Sequence, residues 1–310
     1  MSNPTEPSEG ATGSRPVPSP AAGGAESLTR RSSKAATPKS SRAGRDLPAA
    51  IIVGLVLMGL VLTGLFLLPV AFVATVAVFG VLGCWEVSRA LNGNGIDVPM
   101  VPLAVAGVAM PFSAYYGGLE ALGMALMASV LLMFLWRIFE GPAKSVASII
   151  SGVFLLIWVP LMVSFAVLLL NEPNGHLLIT VMLLLVVSND TFGYLVGVLF
   201  GKHPMAPKIS PKKSWEGFAG SVAGATLVGV LCAIFLLNTH WWVGILLAVA
   251  TVAAATSGDL AESMVKRELG IKDMSTILPG HGGIMDRLDS VVFAVPVTYV
   301  LSILLIPGAL

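Results

Sequence analysis

Between Ser263 and Asp289 the chain reads SMVKRELGIKDMSTILPGHGGIMDRLD. These 27 residues carry eight Asp, Glu, Lys and Arg side chains in a sequence that is otherwise mostly apolar, and a long apolar run flanks them on each side. A polar, Gly-rich segment held between two such runs is more than a tether. Its glycines permit φ > 0 and close backbone approach, and its charges suit a polar ligand.

Working outward, the whole chain has the composition of a membrane protein. It has 310 residues, of which 55% are hydrophobic and 11% charged, with a mean hydropathy of +0.88. Soluble domains carry about 25% charged residues, so a single water-soluble core is excluded. The two cysteines, Cys84 and Cys232, lie far apart inside apolar runs, which predicts packing roles and neither a disulfide framework nor a metal cluster. Residues 1–46 are rich in Ser, Pro, Ala, Gly and Arg. Such a tail cannot bury enough surface to offset its ordering entropy and is expected to be disordered and cytoplasmic. No apolar region follows a short basic start, so it does not read as a signal peptide.

From Leu47 onward the hydropathy predicts nine apolar helices near 48–68, 70–88, 99–116, 118–136, 148–170, 177–200, 216–237, 241–264 and 290–307. Each is long enough to span about 30 Å of hydrocarbon at 1.5 Å per residue. The fold class expected is therefore all-α, a polytopic integral membrane protein. With the N-terminus inside, all 18 Lys and Arg fall in the tail or in the loops 89–98, 137–147, 201–215 and 265–289. This is the positive-inside distribution, and it predicts an outside C-terminus.

Several constellations bear chemistry. Ser188-Asn189-Asp190 lies in the sixth apolar segment, with Asp190 about 11 residues from the Lys202 end, or roughly 16 Å along a helix. Such an ionisable group faces the bundle interior or a water-filled cavity, either as a hydrogen-bonded packing residue or as part of a site. Gly193, Gly197 and Gly201 recur at spacing four and make a smooth face for close helix packing. The run Gly197–Lys202 lacks the spacing of a phosphate-binding loop and ends an apolar segment, so that reading is rejected. The loop GKHPMAPKISPKKSWEG, Gly201–Gly217, combines four Lys and one His with three Pro. It serves either to fix topology or as a backbone-restricted positive field for a polyphosphate. Its Ser-Pro-Lys-Lys run also occurs in DNA-binding tails, a reading that a membrane loop excludes. Asp259, Glu262, Ser263 and Lys266 stand at i, i+3, i+4 and i+7 and share one helix face, as do Asp286 and Asp289. Asp190, Glu216, Asp259, Glu262, Asp286 and Asp289 all fall in the inner halves of their helices. Clustered hard oxygen ligands of this kind suit Mg²⁺, and with Lys and Arg beside them they suit metal-assisted phosphoryl chemistry.

The quoted stretch also resembles a family signature. Ser263, Lys266, Arg267, Lys272, Asp273, Ser275, Pro279, His281, Gly282, Gly283, Asp286, Arg287 and Asp289 match the pattern of the phosphatidate cytidylyltransferases (CDP-diacylglycerol synthases) at every spacing. The likeness is strong over 186–290, weaker over the earlier segments and absent from the tail. It implies transfer of CMP from CTP to phosphatidic acid, giving CDP-diacylglycerol and pyrophosphate, in the inner cell membrane with the site facing the cytoplasm. It implies catalytic roles for Asp259, Asp286, Asp289, Lys266 and His281. Substrate binding would fall to Lys202, Lys208, Ser210, Lys212, Lys213, Glu216, Arg267, Lys272 and Arg287. Mg²⁺, with more than one ion expected, would be held by Asp190, Asp259, Glu262 and Asp286. The expected partners are CTP, phosphatidic acid and membrane lipids, with a homodimer left open and nucleic acid excluded. Two rivals compete. An ion-coupled transporter needs charges near the midplane reachable from both sides, whereas these cluster on one side; a CTP-dependent polyprenol kinase lacks the signature.

Overall fold

In hydrocarbon every backbone N–H and C=O must find a partner within the protein, and the helix achieves this within one segment. The apolar runs accordingly fold as helices in the computed structural model, which describes residues 47–141, 145–278 and 282–306. In chain order these are α1 (Leu47–Phe66), α2 (Pro69–Gly93), α3 (Met100–Glu140), α4 (Ser145–Leu156), a π-helical turn (Ile157–Leu161), α5 (Met162–Asn171), α6 (Gly175–Phe200), α7 (Trp215–Phe235), α8 (Trp241–Glu268) and α9 (Met285–Leu305). Among the described residues seven helices are long and apolar enough to cross a membrane, and Gly54–Phe66 of α1 forms a shorter apolar helix. The protein is an all-α, multi-pass membrane protein.

The expected segments fall on these helices, with two instructive differences. The third and fourth expected segments are joined in α3, whose 41 residues include Gly118 at φ 64°, ψ −154°. Only glycine adopts that backbone readily, and the chain reverses there. Arg137, near the end of α3, pairs with Asp97 just before its start at 3.1 Å, so the two arms run back along one another. At the opposite end Asn171 Nδ2 donates to the carbonyls of Ala114 and Tyr115 at 3.1 and 3.0 Å. The second difference is that α9 begins at Met285, five residues before the expected 290. The π-helical turn contains Pro160, which cannot donate to the ladder and shifts its register.

One apolar cluster ties α1–α5 to α9 and takes in part of α6 and α8, with Val73, Leu103, Met110, Val159 and Leu169 fully buried. A second joins α6, α7 and α8 around Leu185, Ala225, Leu247 and Val252. Cys84 and Cys232 are buried and free, as packing residues would be. Large apolar side chains such as Phe139, Val198 and Leu304 point outward, which is the solvent side of a protein whose solvent is lipid. The glycine face of α6 packs on α7 as expected. A Cβ at Gly197 would lie 3.7 Å from the Cα of Gly217, and Gly193 stands against Ser221.

The loop between α6 and α7 is not irregular. Strands β1 (Pro204–Ala206) and β2 (Ser210–Ser214) pair antiparallel into a small hairpin with an irregular register.

Candidate active site

The hairpin, α6, α7 and α8 surround a pocket of about 270 Å³ whose lining includes Asn189, Asp190, Lys212, Lys213, Ser214 and Asp259. Asp190 is oriented by its neighbour, since Asn189 Nδ2 donates to Asp190 Oδ1 at 3.0 Å. Asn189 is itself held from two helices. Ser221 Oγ of α7 donates to its carbonyl at 2.6 Å, and Thr256 Oγ1 of α8 to its Oδ1 at 3.4 Å. Across the pocket Lys213 Nζ stands 2.6 Å from Asp259 Oδ2.

Three further interactions give the hairpin its position. Arg267 Nε donates to the carbonyl of Ile209 at 3.2 Å, joining the end of α8 to the turn between the strands. Glu216 accepts from the backbone N–H of Lys202 and His203 at 3.1 and 3.2 Å, and His203 Nδ1 stands 2.5 Å from it. Ser214 caps α7 by accepting from Gly217 N at 3.1 Å, as an N-cap serine does.

An acidic tract continues from Asp259. The backbones of α8 and α9 touch at Gly258, where a Cβ would collide with the carbonyl of Asp289. This close approach brings Asp289 into electrostatic range of Asp259 and beside Glu262. Glu262 is fully buried; its Oε2 accepts from Lys266 Nζ at 3.0 Å, while Oε1 has no hydrogen-bond partner among the described residues. Lys266 Nζ donates equally to Asp286 Oδ1 at 3.0 Å. Asp286 also accepts from Met274 N at 3.0 Å and from Gly283 N at 2.8 Å, both on Oδ2.

The expected site residues thus divide. Asp190, Lys212, Lys213 and Asp259 line the pocket, and Glu262, Lys266, Asp286 and Asp289 form the tract behind it. Ser210 opens β2, and Lys202, Lys208, Lys272 and Arg287 are exposed. Arg287 lies within electrostatic range of Asp190. Glu216 and Arg267, expected on substrate, are instead engaged with the hairpin's own backbone. Both oxygens of Asp286, expected on metal, are already occupied by donors. His281 and the tail 1–46 lie outside the described residues. Sequence reading missed Glu86 altogether. This α2 side chain is 1% exposed and binds the segment around Asp286. Its signal was available: it is the one acidic residue of the second apolar run.

Among the described residues no three His, Cys, Asp or Glu side chains converge on one point as a metal centre. The donor chemistry nonetheless fits a hard cation. A buried carboxylate oxygen without a donor, beside a second carboxylate, is costly unless a proton or cation joins them.

The fold and site together define a multi-pass membrane protein in which a basic, solvent-side hairpin faces an acidic tract inside the bundle. Residues 48–305 match the family model described as "Cytidylyltransferase family", and the chain belongs to that family. It is 41% identical over 285 residues to a phosphatidate cytidylyltransferase of Mycobacterium bovis, covering 86% of this chain and 92% of the relative. It is 40% identical over 297 residues to a phosphatidate cytidylyltransferase of Mycobacterium leprae, covering 89% and 94%. A protein of the same name from Haemophilus influenzae is 45% identical over 134 residues, 41% of this chain and 46% of that one.

Proposed function

We propose that the protein transfers CMP from CTP to phosphatidic acid, releasing pyrophosphate and forming CDP-diacylglycerol. One observation carries this reading most directly: Lys213 of the hairpin meets Asp259 of the membrane helix at 2.6 Å. Cations that suit a triphosphate and carboxylates that suit its counter-ions therefore share one pocket. The names of the relatives agree with it.

In this scheme Lys212, Lys213 and Arg287 bind the phosphates of CTP, and Arg267 and Glu216 hold the hairpin in place. Asp259, Glu262 and Asp289, with Asp190 across the pocket, would hold Mg²⁺, which when bound neutralises phosphate oxygens and the departing pyrophosphate. A phosphate oxygen of the lipid attacks the α-phosphorus in line as the bond to pyrophosphate breaks. A phosphomonoester is largely dianionic near neutral pH, its second pKa being about 6, so the nucleophile needs no strong base and no covalent enzyme intermediate. Lys266 holds Glu262 and Asp286 together and keeps α8 and α9 in register.

The basic ends would face the cytoplasm, with nine crossings, the N-terminus inside and the protein in the inner cell membrane. The one-sided placement of Lys and Arg supports this. The test is direct: purified protein, labelled CTP, phosphatidic acid and Mg²⁺. A lipid-soluble cytidine product with stoichiometric pyrophosphate is expected. Its absence with phosphatidic acid, or the formation of polyprenyl phosphate and free CDP from polyprenol and CTP instead, would overturn the reading.

A further inference from the structure

Glu86 is a buried carboxylate to which the scheme above gives no task. It lies in α2, and no Lys or Arg among the described residues pairs with it. Three donors replace a counter-ion. Ser275 Oγ donates to Oε1 at 2.5 Å, Ile284 N to Oε1 at 2.8 Å and Met285 N to Oε2 at 2.8 Å. The last two are among the first N–H groups of α9, which have no partner within their own helix. Ile284 occupies the capping position and supplies no side-chain hydrogen bond. Glu86 therefore caps α9 from another helix, with its negative charge at the positive end of the helix dipole.

Gly283 lies between this carboxylate and the one it helps to place. A Cβ at Gly283 would stand 2.7 and 2.9 Å from the two Glu86 oxygens and 3.0 Å from Asp286 Oδ2. A side chain at residue 283 would therefore have to displace both carboxylates from their donors. Through Ser275 the same side chain holds the segment whose Met274 N–H binds Asp286.

We propose that Glu86 is a positioning residue: by capping α9 in trans it fixes the depth and rotation of that helix, and so places Asp286 and Asp289 for phosphoryl transfer. The proposal rests on the nucleotidyl-transfer reading.

Glu86→Gln is the informative variant. Its amide oxygen can still accept, but its NH₂ would face the Met285 N–H, donor against donor. In the folded Glu86→Gln protein we expect kcat to fall by about 10²-fold, the scale of a small displacement in a reacting site. KM for CTP should change far less than kcat, because Lys212 and Lys213 do not touch Glu86 and of the CTP-binding residues only Arg287 lies on α9. Amide hydrogen exchange at Ile284 and Met285 should quicken. A folded Glu86→Gln protein with kcat within threefold of wild type would overturn the proposal. So would a loss confined to KM, which would make Glu86 a ligand-binding residue. Should Glu86→Gln fail to fold, Ser275→Ala removes one donor and keeps the carboxylate. It should lower kcat several-fold with a smaller change in KM, and an unchanged kcat would count against the proposal. If wild-type protein itself makes no cytidine lipid, the functional reading fails. The exchange rates of the two amides in Glu86→Gln still decide whether Glu86 holds the end of α9.

Discussion

Lys213 Nζ lies 2.6 Å from Asp259 Oδ2, and this ion pair joins the basic hairpin to the acidic face of α8. The side chains are 27% and 30% exposed, so water and a solute reach both. A triphosphate entering the pocket can draw Lys213 onto its own oxygens and leave Asp259 to a cation. Replacing Lys212 and Lys213 together with Ala should raise KM for CTP roughly 10- to 100-fold, the range for losing charge-assisted hydrogen bonds worth about 1.5–3 kcal/mol. KM for the lipid should move much less. The loss of activity with added salt should be shallower than in wild type, because fewer charges remain to be screened. Steady-state kinetics at two ionic strengths checks this. An effect on lipid KM alone would assign the hairpin to the lipid.

Asp286 accepts from Lys266, Met274 and Gly283, so its charge serves both the site and the turn. Asp286→Asn would set its new NH₂ against at least one of these donors. Turnover should fall by 10²-fold or more, and unfolding stability by about 1–3 kcal/mol, the cost of an unsatisfied buried group. Activity per folded molecule and thermal denaturation in detergent separate the two effects. Near-normal turnover would remove Asp286 from the chemistry.

Among the described residues Glu262 Oε1 has no hydrogen-bond donor, and Glu262 stands by Asp289. A bound Mg²⁺ that fills this place stabilises the folded protein by mass action. Millimolar Mg²⁺ should raise the melting temperature of wild type, and chelation should reverse the shift and abolish activity. Glu262→Gln and Asp289→Asn should each flatten the Mg²⁺ response. An undiminished thermal shift in both variants would place the ion elsewhere.

The orientation is testable without any assay of activity. Single cysteines at positions 207 and 273 should react with an impermeant thiol reagent only from the cytoplasmic side; the native Cys84 and Cys232 are buried. Labelling of either position in intact cells would reverse the topology.

The membrane fold was legible in the sequence because its causes are local. A run of about 20 apolar residues must satisfy its own backbone in hydrocarbon, so helix α6 is expected over 177–200 and found over Gly175–Phe200. The spacing of Asp259, Glu262 and Lys266 likewise forces them onto one face of α8, whatever surrounds them. The hairpin was not legible. Its strands have three and five residues and include Pro204 and Pro211. So short a sheet is held by Arg267 and Glu216 and not by strand propensity.

What only the tertiary structure decided is which charge meets which. Composition and period gave Asp286, Glu216 and Arg267 the same standing as Lys213, since all are charged residues at the ends of apolar runs. Packing then turned Glu216 and Arg267 to the hairpin backbone, closed donors around Asp286, and brought Glu86 to amides 198 and 199 residues away in sequence. A hydrophobic period is summed over a segment and tolerates error at any one residue. A buried carboxylate must find its particular donors within about 3 Å, and which donors lie there is set only when distant helices dock.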